Sequence, residues 1–192
     1  MECDIKTEGE IMIWFISDTH FGHRSIIEMC NRPFETVEEM NRELIARWNA
    51  RVKGNDTVYI MGDMFFRCEN AEEILKTLKG NKHLLRGNHD GSWLTKFDAS
   101  GYFESIMDLY SGSVGQRGMT LCHYPLLTYK RQAKHYMIHG HIHEDTSSDY
   151  WPLLCKRERV LNAGVDINGY QPVTFDELVE NNRIYKSVHF SE

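Results

Sequence analysis

Ten histidines stand in a chain of 192 residues, and several of them share short spacings with aspartate, asparagine and glycine. Asp18 and His20 are two apart, as are His141 and His143. Asp63 follows Gly62, Asn88-His89-Asp90 follows Gly87, and His123 closes an apolar run. Residues i and i+2 of an extended chain point to one side, so each pair is expected to converge on one point. Carboxylate, amide oxygen and imidazole together suit Mn, Fe, Zn, Co or Ni. Seven donors, Asp18, His20, Asp63, Asn88, His123, His141 and His143, are too many for one ion. They match two ions about 3.5–4 Å apart, provided one carboxylate bridges them. Any one of these motifs arises by chance, so it is their joint occurrence, in order, that points to a metal centre.

Competing chemistries lack their signatures. There is no GxSxG, no Cys-His pairing and no P-loop, so neither a protein nucleophile nor ATP-driven chemistry is indicated. The charge, 22 positive against 28 negative, is −6. That excludes a generally basic nucleic-acid coat and a polybasic membrane anchor, while leaving a local basic site open. Five cysteines without a CxxC pair suggest neither a disulfide framework nor a structural zinc. Free thiols in a reducing, cytoplasmic compartment are expected. No apolar run approaches 18 residues, and the first residues carry no signal-peptide pattern, so no membrane segment is expected.

The elements that must position these residues read as short apolar runs, each ending in Gly, Asp, Asn or His. Strands are predicted at Ile11–Ile16, Val58–Met61, Leu84-Leu85, Met119–Cys122 and Tyr136–Ile138. Thr36-Val-Glu-Glu39 is a capping-box pattern before a helix bearing Val37, Met40, Leu44, Ile45 and Trp48. Asn70 is the expected cap of a second helix, with Gly80 past its end. Arg24–Asn55 is expected to supply helices forming one wall of the site. After residue 104 strand signals dominate, with Gly112, Gly115 and Gly118 read as turns. Thr174–Asn181 is amphipathic, and Arg183–Phe190 is predicted as a last strand. The order is βαβαβ followed by a β-rich half, within one domain of residues 1–192. Residues 1–10 read as a polar extension, with Met12 a candidate start. The chemistry-bearing residues sit at strand carboxyl ends, where α/β sheets bind ligands.

In these motifs, Asp18-x-His20, Gly62-Asp63, Gly87-Asn88-His89-Asp90, His123 and Gly140-His141-Ile142-His143, the sequence resembles the calcineurin-like metallophosphoesterase superfamily. It is most similar to the small stand-alone microbial members. The resemblance implies an α/β fold, a four-layer α/β/β/α sandwich of two mixed sheets flanked by helices, around a dinuclear centre. It implies a first metal held by Asp18, His20, Asp63 and His143, and a second by Asp63, Asn88, His123 and His141, with Asp63 bridging. The ions expected are two divalent metals, manganese first, with Fe, Zn, Ni or Co as alternatives. His89 is implied as proton donor to the leaving oxygen, oriented by Asp90. The implied reaction is in-line attack of an activated water on a phosphate ester.

Departures bear on the substrate. The GDxxDRG pattern of protein phosphatases reads Gly62-Asp63-Met64-Phe65-Phe66-Arg67-Cys68 here, which argues against phosphoprotein. A small phosphodiester or nucleotide-type ester is expected. A phosphomonoesterase, a nuclease and a non-catalytic scaffold are the alternatives, although the complete ligand set and His89 argue for catalysis. Arg86 is either a phosphate contact or a strand-end surface residue. His23 either touches substrate phosphate or is a loop histidine. His139 reads as structural, and Asp166 as a partner for a ligand histidine or a turn cap. Glu144–Arg159, with Tyr150, Trp151, Lys156, Arg157 and Arg159, is either a base-stacking element or a hairpin with a charged edge. Lys130, Arg131 and Lys134 form a second basic cluster. Similar proteins form homodimers, and the sequence leaves the oligomeric state open.

Overall fold

The fold comes from a computed structural model, which describes residues 11–190. The expectation for residues 1–10 lies outside them. Four strands, β1 (Ile13–Ile16), β2 (Thr57–Ile60), β3 (Asn81–Leu85) and β4 (Ser105–Met107), make one sheet in that order, parallel throughout. Four more, β5 (Leu109–Val114), β6 (Arg117–Cys122), β7 (Tyr136–His139) and β8 (Val160–Asn162), make a second sheet, also in chain order. Only this second sheet is mixed: β5 and β6 form an antiparallel hairpin, and β6, β7 and β8 run parallel. The expectation of two mixed sheets is corrected in the first. Its strands are joined by helical crossovers, which return the chain to the same end and force a parallel ladder.

Alternation along the first sheet assigns its two faces. Trp14, Ile16, Val58, Ile60 and Leu84 face α1 (Ile26–Met29), α2 (Val37–Arg51), α3 (Ala71–Thr77) and α4 (Asp90–Leu94), joining Met40, Leu44, Trp48, Ile74 and Trp93 in one core. Phe15, Met61 and Leu85 face the other way and meet Met119, Leu121, Ile138 and Leu161 of the second sheet. The far face of that sheet carries Met137 and Val160 against Leu154 of α5 (Trp151–Cys155). A strand covered on both faces reads as a continuous apolar run, which is the pattern the sequence shows.

Several local expectations change. Arg183–Phe190 is not a strand; it prolongs α6 (Phe175–Val188), whose start carries a complete Thr174/Glu177 capping box. Asn182 and Lys186 explain the extension, since they bond the backbone around β8: Asn182 Nδ2 donates to Asn162 O and Lys186 Nζ to Arg157 O, at 2.9 and 2.7 Å. Gly112 and Gly118 lie inside the β5–β6 ladder; only Gly115, at φ +56°, turns the hairpin. At α2, Thr36 Oγ1 accepts from Glu39 N, but Glu39 Oε2 accepts from Glu35 N rather than completing the box. Asn70 makes no side-chain cap; its Oδ1 accepts from Cys68 Sγ instead. Residues 144–159 form turns and the helix α5, not a hairpin.

His139, at the end of β7, is fully buried and donates from Nδ1 to Gly140 O at 2.8 Å. Burial pushes its pKa down to about 4, offset in part by that carbonyl. The unfolded chain takes up a proton near its ordinary value of 6.5 while the folded one does not until about 4. Stability from this group is therefore full above pH 6.5 and is lost as pH falls toward 4, by about 3 kcal/mol. Urea titrations of metal-free protein from pH 7 to pH 4 are expected to show this slope, and His139→Gln to flatten it.

Candidate metal centre

All seven expected donors leave the carboxyl ends of their strands, but not by the geometry the spacing suggested. Asp18, His20, Asp63, His141 and His143 lie beyond their strands with φ of +56°, +50°, +51°, +72° and +48°. Left-handed turns, rather than the pleat, place these side chains: Asp18 and His20 fall in one donor group, while His141 and His143, expected to converge, are divided between two. Non-glycine residues held there cost on the order of 1–2 kcal/mol each, and such strain collects at functional sites.

Two groups of donors result. Asp18, His20 and His143 offer atoms within 4.8 Å of one another, and so do Asp63, His123 and His141. Asp63 Oδ2 lies between them, 3.7 Å from His20 Nε2 and 3.5 Å from His123 Nε2. Asn88 Oδ1 is 3.0 Å from His123 Nε2. Close packing of the turns is what allows this. A Cβ on Gly87 would stand 2.2 Å from Asp63 Oδ1, and one on Gly140 would stand 2.4 Å from Asp18 Oδ2. The glycines preceding Asn88 and His141 are thus required by the carboxylates lying against them.

The ring orientations leave lone pairs pointing inward. His123 Nδ1 donates to Met61 O at 2.7 Å, and His143 Nδ1 donates to Asp166 Oδ2 at 2.8 Å. Each neutral ring then presents Nε2 as an acceptor. His20 Nε2 is buried with no hydrogen-bond partner. Without a cation the charges adjust. Burial raises the Asp18 carboxyl. Burial also acts to raise Asp63, but His123, the His89 backbone N–H and His20 outweigh it and hold the carboxyl at about 2. Burial and the neighbouring His143 hold His20 well below its usual range. His143 reaches about 10, because Asp166, Cys30 and Asp18 outweigh its burial. An orphaned imidazole nitrogen beside converging carboxylate, amide and imidazole acceptors is a donor set that fits divalent cations.

Residues 11–181 match the family model described as calcineurin-like phosphoesterase. The chain belongs to that family. An uncharacterized protein of Methanocaldococcus jannaschii is 34% identical over 92% of this chain and 96% of its own. The Gene 66 protein of Mycobacterium phage L5 is 27% identical, covering 92% and 93%. A crystal structure of a protein of unknown function from Aquifex aeolicus superposes with a TM-score of 0.68 at 26% identity, over 89% of this chain and 99% of that one. As a calcineurin-like phosphoesterase, the chain is a hydrolase of phosphoesters that depends on divalent metal.

Other residues of this phosphoesterase sit differently from expectation. Asp90 does not orient the His89 ring. Its carboxylate accepts from Asp63 N, Gly87 N, Met64 N and Trp93 Nε1, at 2.8 to 3.0 Å, and so ties the two ligand turns together. His89 stands beside the donors, Nε2 3.8 Å from Asp63 Oδ2, with its ring edge on Phe66. Arg86 pairs with Asp108 through two bonds of 2.8 and 2.7 Å on an exposed edge. His23 is 3.2 Å from His20, ring to ring nitrogen, and rests on Phe66; burial and His89 hold it near a pKa of about 4. Arg67, which sequence reasoning passed over, stacks on the same Phe66. Cys30 also comes close to His143 and Asp166, but that carboxylate is already used by two other groups. The clusters Lys156-Arg157/Arg159 and Lys130/Arg131/Lys134 do not face the donors. The first lines a cleft of about 400 Å³ with Tyr129 and Gln132, at the start of β8, the opposite end of the sheet.

Arg32 carried no signal in the sequence, being an arginine outside every motif. Its guanidinium is fully buried, bonds both oxygens of Asp166, and also donates to the carbonyls of Asp18 and Thr19. One side chain thus links the first ligand turn to the carboxylate that holds His143. Arg32→Met leaves Asp166 with His143 as its remaining partner, removes the bonds to the Asp18 and Thr19 carbonyls, and is expected to destabilise the protein by about 3–5 kcal/mol in urea unfolding. Arg32→Lys is expected to recover only part, because an ammonium cannot span both oxygens.

Proposed function

We propose that the chain hydrolyses a small phosphodiester, using two divalent ions bridged by Asp63, with manganese the preferred metal. The observation that carries this is the position of Asp63 Oδ2 between the Asp18/His20/His143 group and the Asp63/His123/His141 group. Asn88 belongs to the second set through its closeness to His123. When bound, such ions deprotonate a water near neutral pH and offset charge on the phosphoryl group.

The chain's own residues do the rest. Asp18 and Asp63 are held by backbone N–H groups, from His141 and from His89, so the donors are ordered before any ligand arrives. His89, a third exposed and beside Asp63, is placed to give a proton to the departing alkoxide. The partly buried Phe66 screens one side of the His89 and His23 rings from water. A diester is favoured over a monoester by charge. Arg32 is spent on Asp166 and Arg86 pairs with Asp108, while Arg67 lies on Phe66. A singly charged diester needs fewer cations than a doubly charged monoester.

The test is turnover by Mn²⁺-loaded protein of bis(p-nitrophenyl) phosphate beside p-nitrophenyl phosphate. The diester is expected to be faster, Asp63→Asn to abolish activity, and His89→Ala to lower kcat by about 10²–10⁴-fold. Faster monoester turnover reassigns the chain as a phosphatase. No turnover of either, in protein shown by elemental analysis to hold two ions, sinks the hydrolytic reading in favour of a scaffold.

A further inference from the structure

Beside the donors opens a cleft of about 540 Å³ between α1 and residues 142–150. His141 and His143 form part of its lining, so a phosphate at the centre would have its organic substituent next to this space. The volume falls in the range of small-molecule sites, about 300–1,000 Å³. Its walls have a definite chemistry. Ile26, Met29, Ile142 and Tyr150 supply apolar and aromatic surface, and Met29 is 70% exposed. Glu144 and Asp145 supply carboxylates, and among the described residues no lysine or arginine lines it.

The acidic wall is built rather than incidental. Asp145 accepts from Ser147 N and Oγ, Ser148 Oγ and Tyr150 Oη, which folds residues 145–150 around an ionised carboxylate. Tyr185 of α6 donates to Glu144 O at 2.6 Å and anchors the start of the segment. Among the described residues the Glu144 carboxylate has no ion pair. The basic clusters that could neutralise it lie by the start of β8, away from the ligand turns.

We infer that this cleft receives the organic half of the ester, and that it takes an uncharged or cationic group while rejecting one that carries a second anion. The inference rests on the hydrolytic reading above for the phosphate's position. A nucleic-acid strand or bisphosphorylated ester is thereby disfavoured, since tracking a polyanion needs a positive groove. Like charges brought together at a binding surface select against the wrong partner.

The test is calorimetric binding of three aryl methyl phosphodiesters to Mn²⁺-loaded protein: methyl 1-naphthyl phosphate, a ring-sulfonated form and an aminomethyl form. The sulfonate is expected to bind at least tenfold more weakly than the parent, and the amine at least as tightly. Glu144→Lys, an exchange outside the donor set, is expected to shrink the sulfonate penalty below threefold, with Glu144→Gln between. Equal affinity of the three compounds, absence of binding by all three, or a penalty untouched by Glu144→Lys overturns the assignment. Hydrolysis of the same esters is scored separately. Turnover without the charge order strikes the cleft assignment alone, and the charge order without turnover strikes the hydrolytic reading alone.

Discussion

Carboxylate, amide and imidazole acceptors aimed at one volume repel each other until a cation enters, and holding them there is the constraint on which this structure depends. His20 Nε2 stays buried and unpartnered, and Asp63 Oδ2 lies within 4 Å of three imidazoles. A flexible loop would relax such an arrangement. Here five donors sit in left-handed turns whose carbonyls and N–H groups are bonded across strands: Asp18 N to Gly62 O, His20 N to Asp63 O, Gly140 N to His123 O. Strain of this kind persists only where the surroundings over-determine it.

Two buried side chains do much of that work. Asp90 gathers four N–H donors from around Asp63, Gly87 and Trp93 and joins the turns after β2 and β3. Arg32 does the corresponding job on the other side, between the turn after β1 and the Asp166–His143 pair. Neither needs to touch a substrate. A histidine's free nitrogen is aimed by what its other nitrogen bonds to, so Asp166, and Arg32 behind it, belong to the architecture of the donor group as much as the donors do.

The two sheets make this possible by bringing strand ends together. The ends of β1, β2 and β3 carry Asp18, His20, Asp63 and Asn88, while those of β6 and β7 carry His123, His141 and His143. Face-to-face packing through Phe15, Met61, Leu121 and Ile138 sets the two edges against each other. The cleft beside the centre lies between α1 and residues 142–150, which leave the same strand ends.

Residue type and order were enough to read the motifs, the two-part organisation and most strands, because buried parallel strands are short apolar runs and their ends are marked by glycine and acidic or imidazole side chains. The sequence also marked the residues of the Asp18/His20/His143 and Asp63/His123/His141 groups, but not Cys30, which the structure brings beside His143 and Asp166. It did not mark how they are placed: Asp18 and His20 meet, and His141 and His143 part, through φ > 0 turns, which no spacing encodes for aspartate or histidine. Nor did it separate Asp90 from a histidine partner, pair Arg86 with Asp108, or reveal Arg32, because these roles rest on contacts between residues 22 to 134 positions apart. The last helix was misread for the same reason. Its polar residues Asn182 and Lys186 look like a solvated edge until β8 is placed beneath them. Local chemistry determines which residues can bind a metal; only tertiary packing decides which lone pairs face it and which charges are already taken.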